Sequence, residues 1–272
     1  MPPARFATYA ASFGVALLPL WSVLVRPLPL GWSLAAFGGY VALVTGGVLS
    51  LGWRVFVDAV VRGPQGARGV VLTFDDGPHP FWTARILDVL REHGAKATFF
   101  VVGRKVEDHP EVVHAILEQG HAVELHSYAH DRLLSLRSER RVRQDLERGI
   151  ASLERATGRR PALFRPPIGH TNPILARIVN DLDLTVVGWT IAGRDGVSWA
   201  RPNDVVARVR RDLRDGAIVL LHDAPERGDR EPAAVRALPA ILAAIAADGL
   251  QVVPLARWIG AAHDAAAEGS TT

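Results

Sequence analysis

The sequence predicts an α/β protein built on a parallel sheet and preceded by a hairpin of two transmembrane helices. Three observations carry this. The first 60 residues are almost free of charge. From about residue 69 to 260, short apolar runs alternate with amphipathic helical patterns, the rhythm of β-α units. The unusual polar residues fall repeatedly just after the apolar runs, at the sheet end where parallel α/β proteins carry their functional groups. The chain has 272 residues, 49% of them hydrophobic, enough for a full core. A net charge of +3 does not call for nucleic acid, and none is expected as a partner. There is no cysteine, so disulfides, thiolate metal sites and Cys nucleophiles are excluded. A metal would have to be held by carboxylates and the ten histidines.

Between Phe6 and Trp53 the one charged residue is Arg26. The uncharged stretches on either side of it each reach the ~20 residues that span a bilayer. "RPLPLGW" (26–32) separates them as a helix-breaking turn. Trp21, Trp32, Tyr40 and Trp53 suit membrane interfaces. A cleaved signal peptide fits less well, because a second uncharged stretch follows. The basic flanks give a weak cytoplasmic bias to both ends, so the side on which the soluble part lies stays open. The expected organisation is a membrane anchor over 1–60, a linker over 61–68, a catalytic domain over 69–262 and a frayed tail over 263–272.

Strands are expected at 69–74, 97–102, 121–125, 161–164, 184–189, 217–221 and 250–253, each short and rich in β-branched or aromatic residues. Helical stripes lie between them: Ile86, Leu87 and Leu90; Val142, Leu146, Ile150 and Leu153; Val205, Val206, Val209 and Leu213. Glycines 94, 120, 216 and 249 read as helix stops. About seven such units can close into a barrel or form an open doubly wound sheet. "DDGPHP" after the first strand offers carboxylates where a dinucleotide site needs glycines, which argues against a nucleotide binder. The arginine-rich stretch 132–160 reads as a solvated helix face with i,i+4 ion pairs.

Asp75 and Asp76 follow the first strand, His126 and His130 the third and Arg165 the fourth. Asp195 lies in the loop after the fifth, and His222 and Asp223 follow the sixth. Each alone has a bland explanation; in register at one rim they converge. His126 and His130 can face one ion if their segment forms a helical turn. Asp76 or Asp75 can be the third ligand, leaving open positions as a catalytic metal site needs. The other Asp is then free to act as a general base, and His222 can serve as general acid near neutral pH.

"TFDDGP" (73–78), "HSYAH" (126–130), "RPPIG" (165–169) and "LLH" (220–222), in this order, resemble the motifs of the polysaccharide deacetylase family, the NodB-homology domains or family 4 carbohydrate esterases. The resemblance spans about residues 68–260. It implies a distorted (β/α) barrel of about seven parallel strands and metal-dependent removal of N-acetyl groups from amino sugars. It implies Asp75 as base, Asp76, His126 and His130 as metal ligands, Arg165 as the group orienting Asp75, and His222 as acid with Asp195 as its partner. The backbone N–H near Ile168 would bind the oxyanion, and Leu220 and Trp189 would wall the pocket. The metal expected is Zn²⁺, with Co²⁺, Ni²⁺, Mn²⁺ or Fe²⁺ as substitutes. Two departures bear on substrate choice: Ile168 stands where members usually carry an aromatic, and Gly196 where a Trp usually follows the Asp. Trp189 or Trp199 can replace that wall.

The expected function is therefore a membrane-anchored hydrolase removing N-acyl groups from an acetylated glycan, with the lipid bilayer as its other contact and no protein partner inferred. A deacylase of a lipid-linked sugar is the alternative within the class. A non-catalytic carbohydrate-binding protein of the same fold is the alternative outside it.

Overall fold

A computed structural model describes residues 1–259. The expected tail at 263–272 lies outside the described residues, as does the expected end of the domain at 262. Two apolar helices open the chain, α1 (Pro3–Leu24) and α2 (Leu30–Leu49). Both are long and apolar enough to cross a membrane, and nearly all of their surface is unburied. They lie against each other, with Ser12 Oγ hydrogen-bonded to Tyr40 Oη at 3.2 Å. Arg5 at the start of α1 donates to the carbonyls of Arg54 and Val55, so the free end of the hairpin returns to the segment that follows α2.

The rest alternates as predicted: β1 (Val70–Asp75), α3 (Trp82–Glu92), β2 (Ala97–Val101), α4 (Gly103–Asp108), α5 (Pro110–Glu118), β3 (Ala122–Leu125), α6 (Glu139–Thr157), β4 (Leu163–Phe164), α7 (Pro173–Asp181), β5 (Thr185–Val186), β6 (Ile191–Ala192), α8 (Pro202–Asp212), β7 (Ala217–His222) and α9 (Ala233–Ala247). Among the described residues the sheet has seven strands in the order β5-β4-β3-β2-β1-β7-β6, and every pairing is parallel. The central strands β1, β2 and β7 are buried on both faces, which is why they read as unbroken apolar runs. The predicted helical stripes are the buried faces: Ile86, Leu87 and Leu90 on α3, and Val142, Leu146, Ile150 and Leu153 on α6. Gly94 and Gly249 follow helix ends with φ of 61° and 69°, the left-handed conformation that ends a helix cheaply when no Cβ is present.

Two strand expectations need correction. Residues 250–253 form no strand; they contribute one parallel bridge, Val70 to Val252. The run expected at 184–189 is strand only at Thr185 and Val186, and a separate short strand follows it at Ile191 and Ala192. Thr185 and Val186 pair with β4, then the chain bends, and Ile191 and Ala192 pair with β7. The cause is closure. The two edges of the sheet, β5 and β6, belong to one stretch of chain, so the sheet ends on itself as a distorted barrel. At the bend, Val60 supplies the missing pairing: its N–H donates to Val186 O, and Gly188 N–H donates to Val60 O, both at 2.9 Å. Gly188 has no room for a side chain there, since a Cβ would come within 2.9 Å of Val61 and 3.0 Å of Leu51. Residues 51–61 thus pack one side against the core, with Leu51, Val55, Val57 and Ala59 buried.

Candidate active site

The C-terminal ends of β1, β3, β4 and β7 and the loop after β6 form one rim around a cavity of about 500 Å³. Asp75 ends β1 and Asp76 follows it with φ of 76°. This left-handed kink sends adjacent carboxylates into different surroundings. Asp75 Oδ1 accepts from Arg165 Nη1 at 2.7 Å, while its Oδ2 stands 3.8 Å from His126 Nε2. Asp76 Oδ1 lies 3.0 Å from His130 Nε2 and 3.6 Å from His126 Nε2.

His126 and His130 are not on a helical turn, contrary to the local geometry expected above. They flank an irregular loop in which Ser127 and His130 take φ of 64° and 52°. The loop is pinned from outside: Asp145 on α6 accepts from Tyr128 N and Ala129 N at 2.9 and 3.1 Å. His126 Nδ1 donates to Arg165 O at 2.7 Å, which leaves Nε2 with its lone pair toward Asp76. One donor atom from each of Asp76, His126 and His130 lies within 4.8 Å of the others, all three residues being buried. Asp76 Oδ1 is buried without a hydrogen bond of acceptable geometry. A buried carboxylate oxygen and two imidazole lone pairs converging with nothing between them fit a divalent cation, and fit no uncharged arrangement as well.

The electrostatics of His126 and Asp76 agree. Burial would lower His130, but the contact with Asp76 outweighs it and raises that ring, so a cation there would displace a proton. Burial pushes the His126 imidazole down to about 4, so it stays neutral and available as a ligand. Burial would raise the Asp76 carboxyl, but the adjacent His130 and the fields of His222 and His126 outweigh it and hold it well below the usual range.

Arg165 has no exposed surface. Besides Asp75 it donates to Thr73 Oγ1 at 2.8 Å, Val187 O at 3.2 Å and Gly188 O at 2.9 Å, with its guanidinium carbon 4.2 Å from the Phe100 ring centroid. Opposite stands His222. Asp195, fully buried, accepts from His222 N at 2.8 Å and from His222 Nδ1 at 3.0 Å. Burial works against the charged ring, yet Asp195 prevails and raises His222 to about 10. Ile168, Leu220 and Trp189 line the same cavity; Ile168 has φ of 51° and is 42% exposed. Every candidate residue named from the sequence except Asp223 is at this site. Glu124, close in sequence to the histidines, is bonded instead to the N–H groups of Ala162 and Leu163, where it fixes the entry to β4.

Two contributors escaped the sequence reading. Lys105 on α4 donates to Asp76 O and Pro225 O, both at 2.8 Å, and so ties the β1 and β7 loops together. Glu226 stands 3.7 Å from His130 Nδ1 and accepts from Arg132 Nε at 2.8 Å. Asp223, expected at the rim beside His222, is instead wholly buried away from the cavity, hydrogen-bonded to Thr83 Oγ1 at 2.5 Å, and burial raises it to about 7.

Comparison with known proteins agrees with this geometry. The polysaccharide deacetylase family model matches residues 62–187. A peptidoglycan-N-acetylglucosamine deacetylase of Bacillus cereus is 32% identical over 74% of this chain and 92% of its own. A chitooligosaccharide deacetylase of Bradyrhizobium sp. is 35% identical over 70% and 90%. Among solved structures, a family 4 carbohydrate esterase pseudoenzyme from Bacillus anthracis superposes with a TM-score of 0.66 at 27% identity, covering 73% of this chain and 67% of its own. Fold and rim together define a carbohydrate deacetylase, a hydrolase of carbon–nitrogen bonds other than peptide bonds. The chain belongs to the polysaccharide deacetylase family, also called family 4 of the carbohydrate esterases.

Proposed function

We propose that the protein is a membrane-anchored, metal-dependent deacetylase of N-acetylated amino sugars in a glycan. The observation that carries this reading is the meeting of three units around one cavity: Asp75 with Arg165, the Asp76–His126–His130 cluster, and His222 with Asp195. Asp76, His126 and His130 would hold the cation, Zn²⁺ fitting two imidazoles and a carboxylate best. When bound it supplies Lewis acidity, polarising the acyl carbonyl and easing deprotonation of water.

Asp75 takes the proton from the attacking water through Oδ2, while Arg165 holds the carboxylate by Oδ1 and keeps it from rotating. The backbone N–H near Ile168 meets the oxyanion. His222 bonds Asp195 through Nδ1 and donates the Nε2 proton to the departing nitrogen. A leaving amine is a poor leaving group unless protonated, so a ring held cationic near neutral pH suits the step. Leu220 and Trp189 exclude water from one wall.

Asp75→Asn is expected to cut turnover of acetylated chito-oligomers by at least ~10²-fold, the lower end of general-base contributions, while metal content stays at the wild-type level. Undiminished turnover would remove Asp75 from the role. Retention of all members of the site speaks for an enzyme over a non-catalytic sugar-binding protein. Anchoring by α1 and α2 is supported by their length, by their pairing, and by the hydrogen bond from Thr171 N to Val48 O that fastens α2 to the domain.

A further inference from the structure

Two sets of side chains at or near the mouth of the cavity have no part in the chemistry above. The first is basic. Arg194 and Arg201 line the wall made by the loop before α8, are exposed, and make no ion pair among the described residues. Arg208 beside them donates to Gly193 O at 2.5 Å. The carboxylates that share the cavity are otherwise committed: Asp75 to Arg165, Asp76 to the histidines, Glu226 to Arg132. Asp204 remains as the one offset, so this wall is positive in excess.

The second set is apolar. Trp199, Leu136, Leu133, Ile168 and Val197 are 78, 71, 49, 42 and 36% exposed. Trp199, Val197 and Ile168 line the cavity, and the loop that carries Ile168 meets the end of α2. Thr171, in the loop that carries Ile168, donates to Val48 O at the end of α2 at 3.0 Å. Asn172 next to it donates to Ser135 O, in the turn that carries Leu136. The mouth therefore opens beside the apolar helices, not on the far side of the domain.

Guanidinium groups pair well with phosphate. Exposed Trp and Leu at a membrane helix's exit sit well at headgroup depth. We propose that the cavity takes an anionic substrate resident in the bilayer: an N-acylated amino sugar joined through phosphate to a lipid, with Arg194 and Arg201 on the phosphate and Trp199 and Leu136 at the lipid surface. The inference rests on the deacetylase reading and leaves its reaction unchanged. Water adds to the acyl carbon, the carbon–nitrogen bond breaks, an amine and a carboxylate leave, and the phosphate linkage stays intact.

The test uses the full chain in phosphatidylcholine vesicles with Zn²⁺. Three probes are compared: N-acetylglucosamine phosphate esterified to a long-chain lipid alcohol, its water-soluble methyl analogue, and a neutral chitopentaose. The expected kcat/KM is at least about tenfold higher for the lipid phosphate than for chitopentaose. Arg194→Gln with Arg201→Gln should shrink that preference severalfold through KM. Trp199→Ser with Leu136→Ser should shrink the preference for the lipid form over the methyl form. Equal use of chitopentaose and the lipid phosphate overturns the inference and leaves the deacetylase reading standing. Equal use of the methyl and lipid phosphates overturns presentation by the membrane. Release of acid from none of the three overturns the deacetylase reading and the inference together.

Discussion

Asp75 and Asp76 are neighbours in the chain but not in their partners. One is held by a buried guanidinium 2.7 Å away and the other turns toward two imidazoles. What separates them is a single left-handed residue. Lys105 bonds the carbonyl of that residue, so it acts on the position of Asp76 rather than on any reacting atom. Lys105→Met should therefore weaken Zn²⁺ binding by about 10- to 100-fold, as loss of groups supporting metal ligands typically does. Competition with a fluorescent chelator would measure it, and unchanged affinity would discard Lys105 as a positioning residue. Across the cavity, the sign of the Asp195 effect on His222 is fixed by charge. An anion beside the ring favours the protonated acid, which is present below its pKa, so the raised value extends activity toward higher pH. Asp195→Asn should move the alkaline limb of kcat/KM downward by roughly one unit or more. A limb that stays in place would show that another group governs it.

At the scale of elements, α6 is the mould for the histidine loop. Gly149 lies in its middle, where helix propensity alone favours Ala by ~1 kcal/mol. Packing says otherwise: a Cβ there would come within 2.7 Å of Leu125 Cδ1 and 3.2 Å of Tyr128 N. Overpacking of this kind costs about 1–3 kcal/mol. Gly149→Ala is thus expected to lower the melting temperature and weaken metal binding together, whereas a rise in melting temperature would contradict the packing argument. The sequence revealed such elements unevenly. The strand ends and their functional residues were legible because each motif is contiguous and follows an apolar run. The loop geometry at His126–His130 was not, because positive φ at Ser127 and His130 leaves no mark in composition. The early end of β5 and the separate β6 were hidden because the bend between them depends on Val60, more than a hundred residues earlier in the chain. Lys105 was illegible for the same reason: its acceptors are backbone oxygens, which carry no residue signature.

For the whole molecule, residues 51–61 join the two apolar helices to the α/β domain. Leu51, Val55, Val57 and Ala59 are buried, Val60 completes the sheet at its closure and Val61 O accepts from Thr190 Oγ1 at 2.8 Å. Burial of three aliphatic side chains of this size is worth roughly 5 kcal/mol or more. A fragment beginning at residue 50 should stay soluble and melt cooperatively; one beginning at 69 should melt far lower or fail to fold. Equal melting of the two would return residues 51–60 to the expected anchor and 61–68 to the expected linker.

Arg165 binds Asp75, the proposed base, with one nitrogen and the carbonyls of Val187 and Gly188 with the others, and those carbonyls belong to the stretch where the barrel meets itself. Loss of the catalyst and loss of the architecture are thereby fused in one side chain. A lineage drifting toward an inactive sugar-binding role could discard Asp75 and keep its shape, but discarding Arg165 would leave two buried acceptors bare at the seam. Decay of this enzyme should begin at the carboxylate and spare the guanidinium to the last.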